Sequence, residues 1–252
     1  MKVRPGIEAA GLTDVGCHRE NNEDNFAYWE SQDDSAFPRL GRLAVVADGM
    51  GGAEGGQHAS RIAVEAVCEI YPGSPEPDPQ QRLLESFREA NNRVQQEARA
   101  KPMLHGMGTT LTACAIVGKD LYFAHVGDSR LFLVRDGETR QLSRDHSLVA
   151  RLIESGTIRP EDAETHPQKH VLTAAIGVAD DLQPDMPMAP IELRAADVLV
   201  LCTDGLWGQM TPGELAGIVS KSSTREACKG LIQLAKDRGG PDNITVQVLR
   251  VS

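Results

Sequence analysis

The sequence has no long hydrophobic run, few aromatic residues and an excess of acidic side chains. Its apolar stretches fall far short of the roughly 20 residues that a membrane-spanning helix needs, and the N-terminus, MKVRPGIEAAG, lacks the apolar segment of a secretory signal. Aromatic residues make up 4%, too few for a surface that stacks nucleobases. The net charge of −10 would repel nucleic acids and anionic membranes. We therefore expect a cytoplasmic protein that binds neither nucleic acid nor membrane.

Cysteine is also sparse and irregularly placed. The number of cysteines is odd, and no two of them form a C-x-x-C pair: Cys17, Cys68, Cys114, Cys202 and Cys228. This pattern favours reduced thiols in a cytoplasm over a disulfide framework or a zinc site.

What the sequence contains instead is a series of short apolar runs separated by turn residues. A chain of 252 residues can form one domain with a sizeable core, and we expect it to span residues 1–252. Connections such as Gly118-Lys119-Asp120 and Gly127-Asp128-Ser129 are short, which favours antiparallel pairing in a meander. The runs predict strands at Ile7–Gly11, Phe26–Trp29, Leu43–Ala47, Thr110–Val117, Leu121–Val126, Leu131–Arg135, Val198–Cys202 and Ile244–Val251.

Apolar residues at helical spacing flank these runs. They predict helices from just after Gly56 to Ile70 and over Gln80–Ala100, Pro212–Val219 and Thr224–Arg238. Strands in the middle with helices outside indicate an α+β layered sandwich. The segment 144–177 is mixed in polarity and interrupts the strands, so we expect a mobile flap there.

Several apolar runs end in, or follow, an acidic residue. A single Asp-Gly or Asp-Ser pair is a common turn, but several buried carboxylates at meeting sheet ends would repel one another unless cations joined them. Ligands that are all oxygen favour magnesium or manganese over zinc. The acids are Asp48 in VVADG, Asp128 in HVGDSR, Asp204 in CTDG, Asp242 in GGPDNITV and the pair Glu23-Asp24, and the Gly49 carbonyl adds another oxygen beside Asp48.

The glycines after Asp48 permit a rival interpretation as a phosphate-binding loop of a nucleotide site. Gly51 and Gly56 have the spacing of such a loop. Gln57-His58 stands where Lys-Ser/Thr should follow, however, and this favours the metal interpretation.

Seven fragments together resemble the bacterial metal-dependent serine/threonine protein phosphatases of type 2C. In chain order they are TDVGCHRENNEDNF, VVADGMGG, GMGTTL, HVGDSRLFL, LTAAIG, CTDGLWGQM and GGPDNITVQV, and they span nearly the whole sequence. The resemblance implies a four-layer α-β-β-α sandwich of two antiparallel sheets flanked by helices. It also implies a two-metal centre in the cleft between the sheets.

The resemblance further implies roles for individual residues. Asp48 would bridge two manganese or magnesium ions, and Asp204 would be the other central catalytic ligand. The first ion's shell would be completed by Gly49 and by Glu23 or Asp24, the second ion would be held by Asp204 and Asp242, and Asp128 would join Asp204 at a third, weaker position. A metal-activated water would attack phosphorus, while Arg19 would bind the substrate phosphate in a two-pronged contact.

The sequence departs from the family pattern near the reacting groups. Met50 stands where animal members carry a histidine that is thought to protonate the leaving group, so the general acid is unassigned. His146 and His170 lie in the predicted flap and are the nearest substitutes, although structural roles are commoner for histidine. Trp29 and Trp207 we interpret as core residues rather than ligand contacts.

These features predict a protein phosphatase that acts on phosphorylated proteins, opposes a partner Ser/Thr kinase and functions as a monomer. One alternative is a non-catalytic module of the same fold that binds phosphoproteins, although such a copy would be expected to lose Asp48, Asp204 or Asp242. A second alternative, which the motifs leave open, is a phosphatase of small phosphate monoesters.

Overall fold

The fold is known from a computed structural model, which describes residues 4–51, 54–163, 165–178 and 180–252. Within these ranges the strands are β1 (Ile7–Asp14), β2 (Asp24–Glu30), β3 (Arg42–Met50), β4 (Gly108–Thr109), β5 (Leu111–Val117), β6 (Asp120–Val126), β7 (Arg130–Arg135), β8 (Glu138–Gln141), β9 (Ile191–Glu192), β10 (Val198–Cys202) and β11 (Ile244–Val251).

The described helices lie in the connections between these strands. They are α1 (Phe37–Leu40), α2 (Gly55–Gly73), α3 (Pro79–Ala100), α4 (Leu148–Glu154), α5 (Asp204–Trp207), α6 (Pro212–Val219) and α7 (Thr224–Asp237), with short 3₁₀ turns at Pro102–Leu104 and Pro160–Asp162. Capping boxes define the starts of α6 and α7, because Thr211 and Ser223 each exchange hydrogen bonds with a glutamate three residues later. None of the helices in the described ranges combines the length and apolarity that crossing a bilayer requires.

The described strands form two antiparallel sheets that pack face to face. Sheet I has the order β1-β11-β10-β7-β8, and sheet II has the order β2-β3-β5-β6-β9, with β4 paired to the end of β3. Val46 and Leu199 belong to the core between the sheets. Phe87 of α3 lies in a second core beneath the helices that cover sheet II, and Leu231 of α7 in a third beneath those that cover sheet I. The α+β four-layer sandwich predicted from the sequence is confirmed.

Strand β3 shows why the run LAVVA is apolar at every position. Val45 packs toward α2 and α3, whereas Val46 faces the core between the sheets. A strand buried on both faces reads as a continuous hydrophobic run rather than an alternating one. The run therefore ends inside the molecule, and Asp48 follows directly after its last buried residue.

The predicted meander is wrong at one connection. Gly127-Asp128-Ser129 does not close a hairpin, because β6 belongs to sheet II and β7 to sheet I. Gly127 has φ 109°, a backbone conformation that favours glycine, and the chain here crosses from one sheet to the other. This crossing brings Asp128 to the end of the sandwich where β3 ends.

One helix end differs clearly from the sequence prediction. Helix α2 continues through Pro72 to Gly73, three residues beyond Ile70. Pro72 lacks only its own N–H donor to a carbonyl of the preceding turn, and so close to the helix end this loss is tolerated. The segment 144–177 contains α4 and a 3₁₀ turn, and its mobility stays a prediction. The glycine stretch after Met50 includes Gly52, which lies outside the described residues.

Candidate metal centre

Strands β2 and β3 place two acids opposite each other at one end of sheet II. Asp24 pairs in register with Asp48, because β2 and β3 are antiparallel. Asp24 is buried, with 5% of its surface exposed. The backbone N–H of Asp48 donates to Thr110 Oγ1 at 2.8 Å, which fixes the end of β3 against the next strand segment.

Sheet I supplies two more acids from the same end of the sandwich. Asp204 begins α5 two residues after β10 ends, and Asp242 lies two residues before β11 begins. Because β10 and β11 are antiparallel neighbours, the end of one strand meets the start of the other. Thr203 ties the two sheets together, since its Oγ1 donates to Asp24 Oδ2 at 2.8 Å.

Asn243 orders the loop that carries a fifth acid, Glu23. Its Oδ1 accepts from the backbone N–H of Glu23 at 2.8 Å, and its Nδ2 donates to the carbonyls of Val15 and Asn21, both at 2.9 Å. One amide side chain thereby links the segment before β11 to the segment before β2. Neither Asn243 nor Thr203 was predicted as a site residue.

Asp128 reaches the same end through the crossing between the sheets. It is buried, with 8% of its surface exposed, and its backbone carbonyl accepts from the indole N–H of Trp207 at 2.9 Å. Trp207 is partly buried and packs against the core of sheet I, so it is not a fully buried core residue as the sequence suggested. It also contacts the site, which the sequence analysis did not anticipate.

Close backbone packing explains two glycines. A Cβ on Gly49 would lie 2.1 Å from the Gly56 carbonyl oxygen, and one on Gly56 would lie 2.5 Å from Glu23 Oε2. Neither position has room for a side chain. Helix α2 therefore begins directly against the end of β3, next to the Glu23 carboxylate.

The pKa values of four of these acids are raised by burial and by their mutual repulsion. Burial raises the pKa of Asp24 to about 7 and that of Asp128 to about 8, and the charge of Asp204 adds to both shifts. Burial, followed by the charge of Asp24, raises the pKa of Asp48 well above its usual value. The pKa of Asp204 is raised by burial and then by Asp242. Neighbouring carboxylates in a poorly solvated site favour protonation unless a cation compensates them.

The acids fit divalent cations in their chemistry. Asp24 Oδ1 and Asp204 Oδ1 are buried and have no hydrogen-bond partner among the described residues, and such an oxygen is costly unless something satisfies it. Ligands that are all oxygen suit magnesium or manganese. Among the described residues, no three acidic, histidine or cysteine side chains stand close enough to hold an ion without moving.

Arg19 and one flap histidine lie beside the acids. Arg19 Nη2 donates to Asp242 Oδ2 at 2.8 Å, and the arginine side chain is 54% exposed. His170 Nδ1 lies 3.9 Å from Asp204 Oδ2. His146 instead accepts from the backbone N–H of Gly127 at 3.3 Å. Of the two histidines considered as a general acid, His170 is thus the one beside an acidic residue of the site.

Comparison with known proteins decides the family. A model of protein phosphatase 2C matches residues 18–239, most of the chain. The chain belongs to the protein phosphatase 2C family. The resemblance inferred from the seven fragments is confirmed, and so is its bacterial type.

Relatives of the protein phosphatase 2C family match along nearly the whole chain. The protein phosphatase PhpP of Streptococcus pneumoniae is 36% identical over 251 residues, which cover 98% of both chains. The serine/threonine protein phosphatase PstP of Mycobacterium tuberculosis is 35% identical over 245 residues, 97% of this chain and 45% of PstP. The chain thus spans about half the length of PstP. A crystal structure of the PstP catalytic domain in complex with two manganese ions superposes with a TM-score of 0.84 at 33% identity, over 98% of both chains.

Proposed function

We propose that this protein phosphatase 2C chain is a metal-dependent enzyme that hydrolyses phosphoserine and phosphothreonine monoesters in proteins. The observation that carries the proposal is the convergence of acids from separate segments of both sheets on one end of the sandwich. The names of PhpP and PstP support phosphatase activity. The manganese ions of the PstP catalytic domain support a metal requirement.

The acids divide into two ligand groups in this proposal. Asp48, near the end of β3, would be shared by both ions. The first ion would be held by Gly49 and by Glu23 or Asp24, and the second by Asp204 and Asp242, with Asp128 at a third, weaker position. When bound, manganese or magnesium would neutralise the carboxylates, shield the phosphate oxygens and lower the pKa of an attacking water.

Arg19 is the proposed phosphate-binding residue. Its guanidinium group pairs with Asp242 and is half exposed, so it can turn toward a phosphate once Asp242 is occupied as a ligand. The planar group offers two parallel N–H donors to two phosphate oxygens. This contact would orient the substrate without taking part in bond breaking.

The proposed substrates are phosphorylated proteins, with a Ser/Thr kinase as the opposing enzyme and a monomer as the active form. The cytoplasmic location stays a prediction from the sequence. The alternative of a non-catalytic phosphoprotein-binding module is not favoured, because Asp48, Asp204 and Asp242 are all present.

The test measures phosphate release from a phosphothreonine peptide with manganese or magnesium, before and after chelation by EDTA. We expect metal-dependent turnover, its loss on chelation and its recovery when metal is restored. Asp204→Asn should reduce kcat by orders of magnitude, whereas the exposed control Asp181→Asn should not. Activity that survives chelation would contradict the metal mechanism, and peptide binding without turnover under any divalent ion would favour the binding module.

A further inference from the structure

A small apolar pocket lies next to the candidate metal centre, between the edge strand β8 and helices α5 and α6. Its volume is about 120 Å³, and its apolar lining comes from strand β7, from the end of α5 and from α6 with the turn before it. The apolar side chains are Phe132, Trp207, Met210, Pro212 and Leu215.

The polar groups around the pocket already have partners within the protein. Arg130 makes a two-pronged ion pair with Asp145 at 2.7 to 3.2 Å. Thr139 Oγ1 donates to the Pro212 carbonyl at 2.7 Å, and Gln141 Nε2 donates to Asp145 at 2.7 Å. The pocket therefore offers little unpaired charge to a ligand, and an apolar group suits it better than an anion.

Trp207 connects the pocket to the acidic site. Trp207 lines the pocket and lies three residues after Asp204 in α5, so the two are about one helical turn, roughly 5 Å, apart along the helix. The Trp207 indole N–H donates to the Asp128 carbonyl, and the Arg130 guanidinium lies 3.4 Å above the indole ring. A polypeptide bound at the acids would pass close to this pocket.

We propose that this pocket binds an apolar side chain of the substrate, two or three residues from the phosphorylated residue. The inference rests on the proposed phosphatase function and narrows its substrate class. An extended peptide advances about 3.3 Å per residue, so two or three residues span the distance from Asp204 past Trp207. The volume is comparable to a cavity of about 150 Å³ that accepts benzene, and this suits leucine or methionine.

The experiment compares phosphothreonine peptides that differ at one position. The reference peptide is polar on both sides, and four others carry leucine two or three residues before or after the phosphothreonine. We expect one leucine peptide to exceed the reference in kcat/KM by about ten- to a hundredfold, the effect of burying one such side chain. p-Nitrophenyl phosphate, which has no flanking residue, serves as the second substrate.

Two variants fill the pocket from opposite walls. Met210→Trp acts from the turn before α6 and Thr139→Trp from β8, and each should abolish the leucine preference while hydrolysis of p-nitrophenyl phosphate stays near wild type. Met188→Trp, at an exposed position away from the pocket, is the matched control and should keep the preference.

Equal rates for all five peptides, or a leucine preference that persists in both filled variants, would overturn the inference. A wild-type protein that hydrolyses neither peptides nor p-nitrophenyl phosphate would contradict the proposed function. In that event, affinities of the fluorescein-labelled peptides decide the pocket's role. Tighter binding of a leucine peptide that is lost in Met210→Trp would support the pocket, and equal binding would overturn it.

Discussion

Replacing Asp24 by asparagine should stabilise the protein at neutral and alkaline pH when divalent ions are chelated. The Asp24 carboxyl is buried, and its pKa rises from 3.8 to about 7. This increase of about three pK units corresponds to about 4 kcal/mol, at about 1.4 kcal/mol per unit. Since the folded-state pKa is the higher one, the folded protein holds the proton more tightly than the unfolded chain does. The contribution of Asp24 to the free energy of unfolding is therefore fully present below pH 4, and it is lost as the pH rises toward 7.

Asparagine carries no charge and keeps an oxygen that can accept from Thr203. The free energy of unfolding of Asp24→Asn should exceed that of wild type by an amount that grows by about 4 kcal/mol from below pH 4 to pH 8. Somewhat more than half of this change should develop between pH 5 and pH 8. Urea unfolding in EDTA at several pH values measures it, with the exposed Asp181→Asn as the control. Parallel pH profiles for Asp24→Asn and wild type would refute the argument that burial and neighbouring acids oppose this charge.

Two further predictions concern substrate binding and backbone packing. Arg19→Ala should raise KM for a phosphothreonine peptide about tenfold or more and change kcat less, because a lost charged contact of this kind costs about 1.5–3 kcal/mol. If KM and kcat both stay unchanged, Arg19 does not bind the substrate phosphate and only forms an ion pair with Asp242. Gly56→Ala should lower the free energy of unfolding by about 1–3 kcal/mol, since its Cβ would lie 2.5 Å from Glu23 Oε2 and 2.7 Å from the Gly49 carbonyl carbon. The control is Gly213→Ala in α6, which has open space around the new methyl group and should not destabilise the protein. If urea unfolding shows equal effects for Gly56→Ala and Gly213→Ala, the packing argument is wrong.

The fold was predictable where the pattern is local. The apolar runs located most of the core strands, and the capping residues Thr211 and Ser223 define helices that the sequence pattern also predicts. Strand β8 was missed because Glu138–Gln141 is a polar edge strand with no apolar alternation. The crossing at Gly127 was mistaken for a hairpin because a short turn does not reveal which sheet the next strand joins.

The candidate site was predictable through its acids but not through the residues that support them. Asp48 and Asp204 were identified because a carboxylate at the end of a buried strand needs compensation. Thr203 and Asn243 look like ordinary residues beside a turn in the sequence. Their importance depends on contacts with Asp24 and Glu23, which lie more than 170 positions away along the chain. Such contacts exist only after the two sheets have packed.

The most direct test of the central claim is a calorimetric titration with manganese at pH 7 in two buffers that differ in their heat of ionisation. If the acids converge as described, Asp24, Asp48 and Asp128 retain protons in the ion-free protein, and manganese must displace them. We predict manganese binding with release of about one proton or more per chain, and severe weakening by Asp48→Asn. Absence of binding, or binding that releases no proton and is unchanged in Asp48→Asn, would contradict the account.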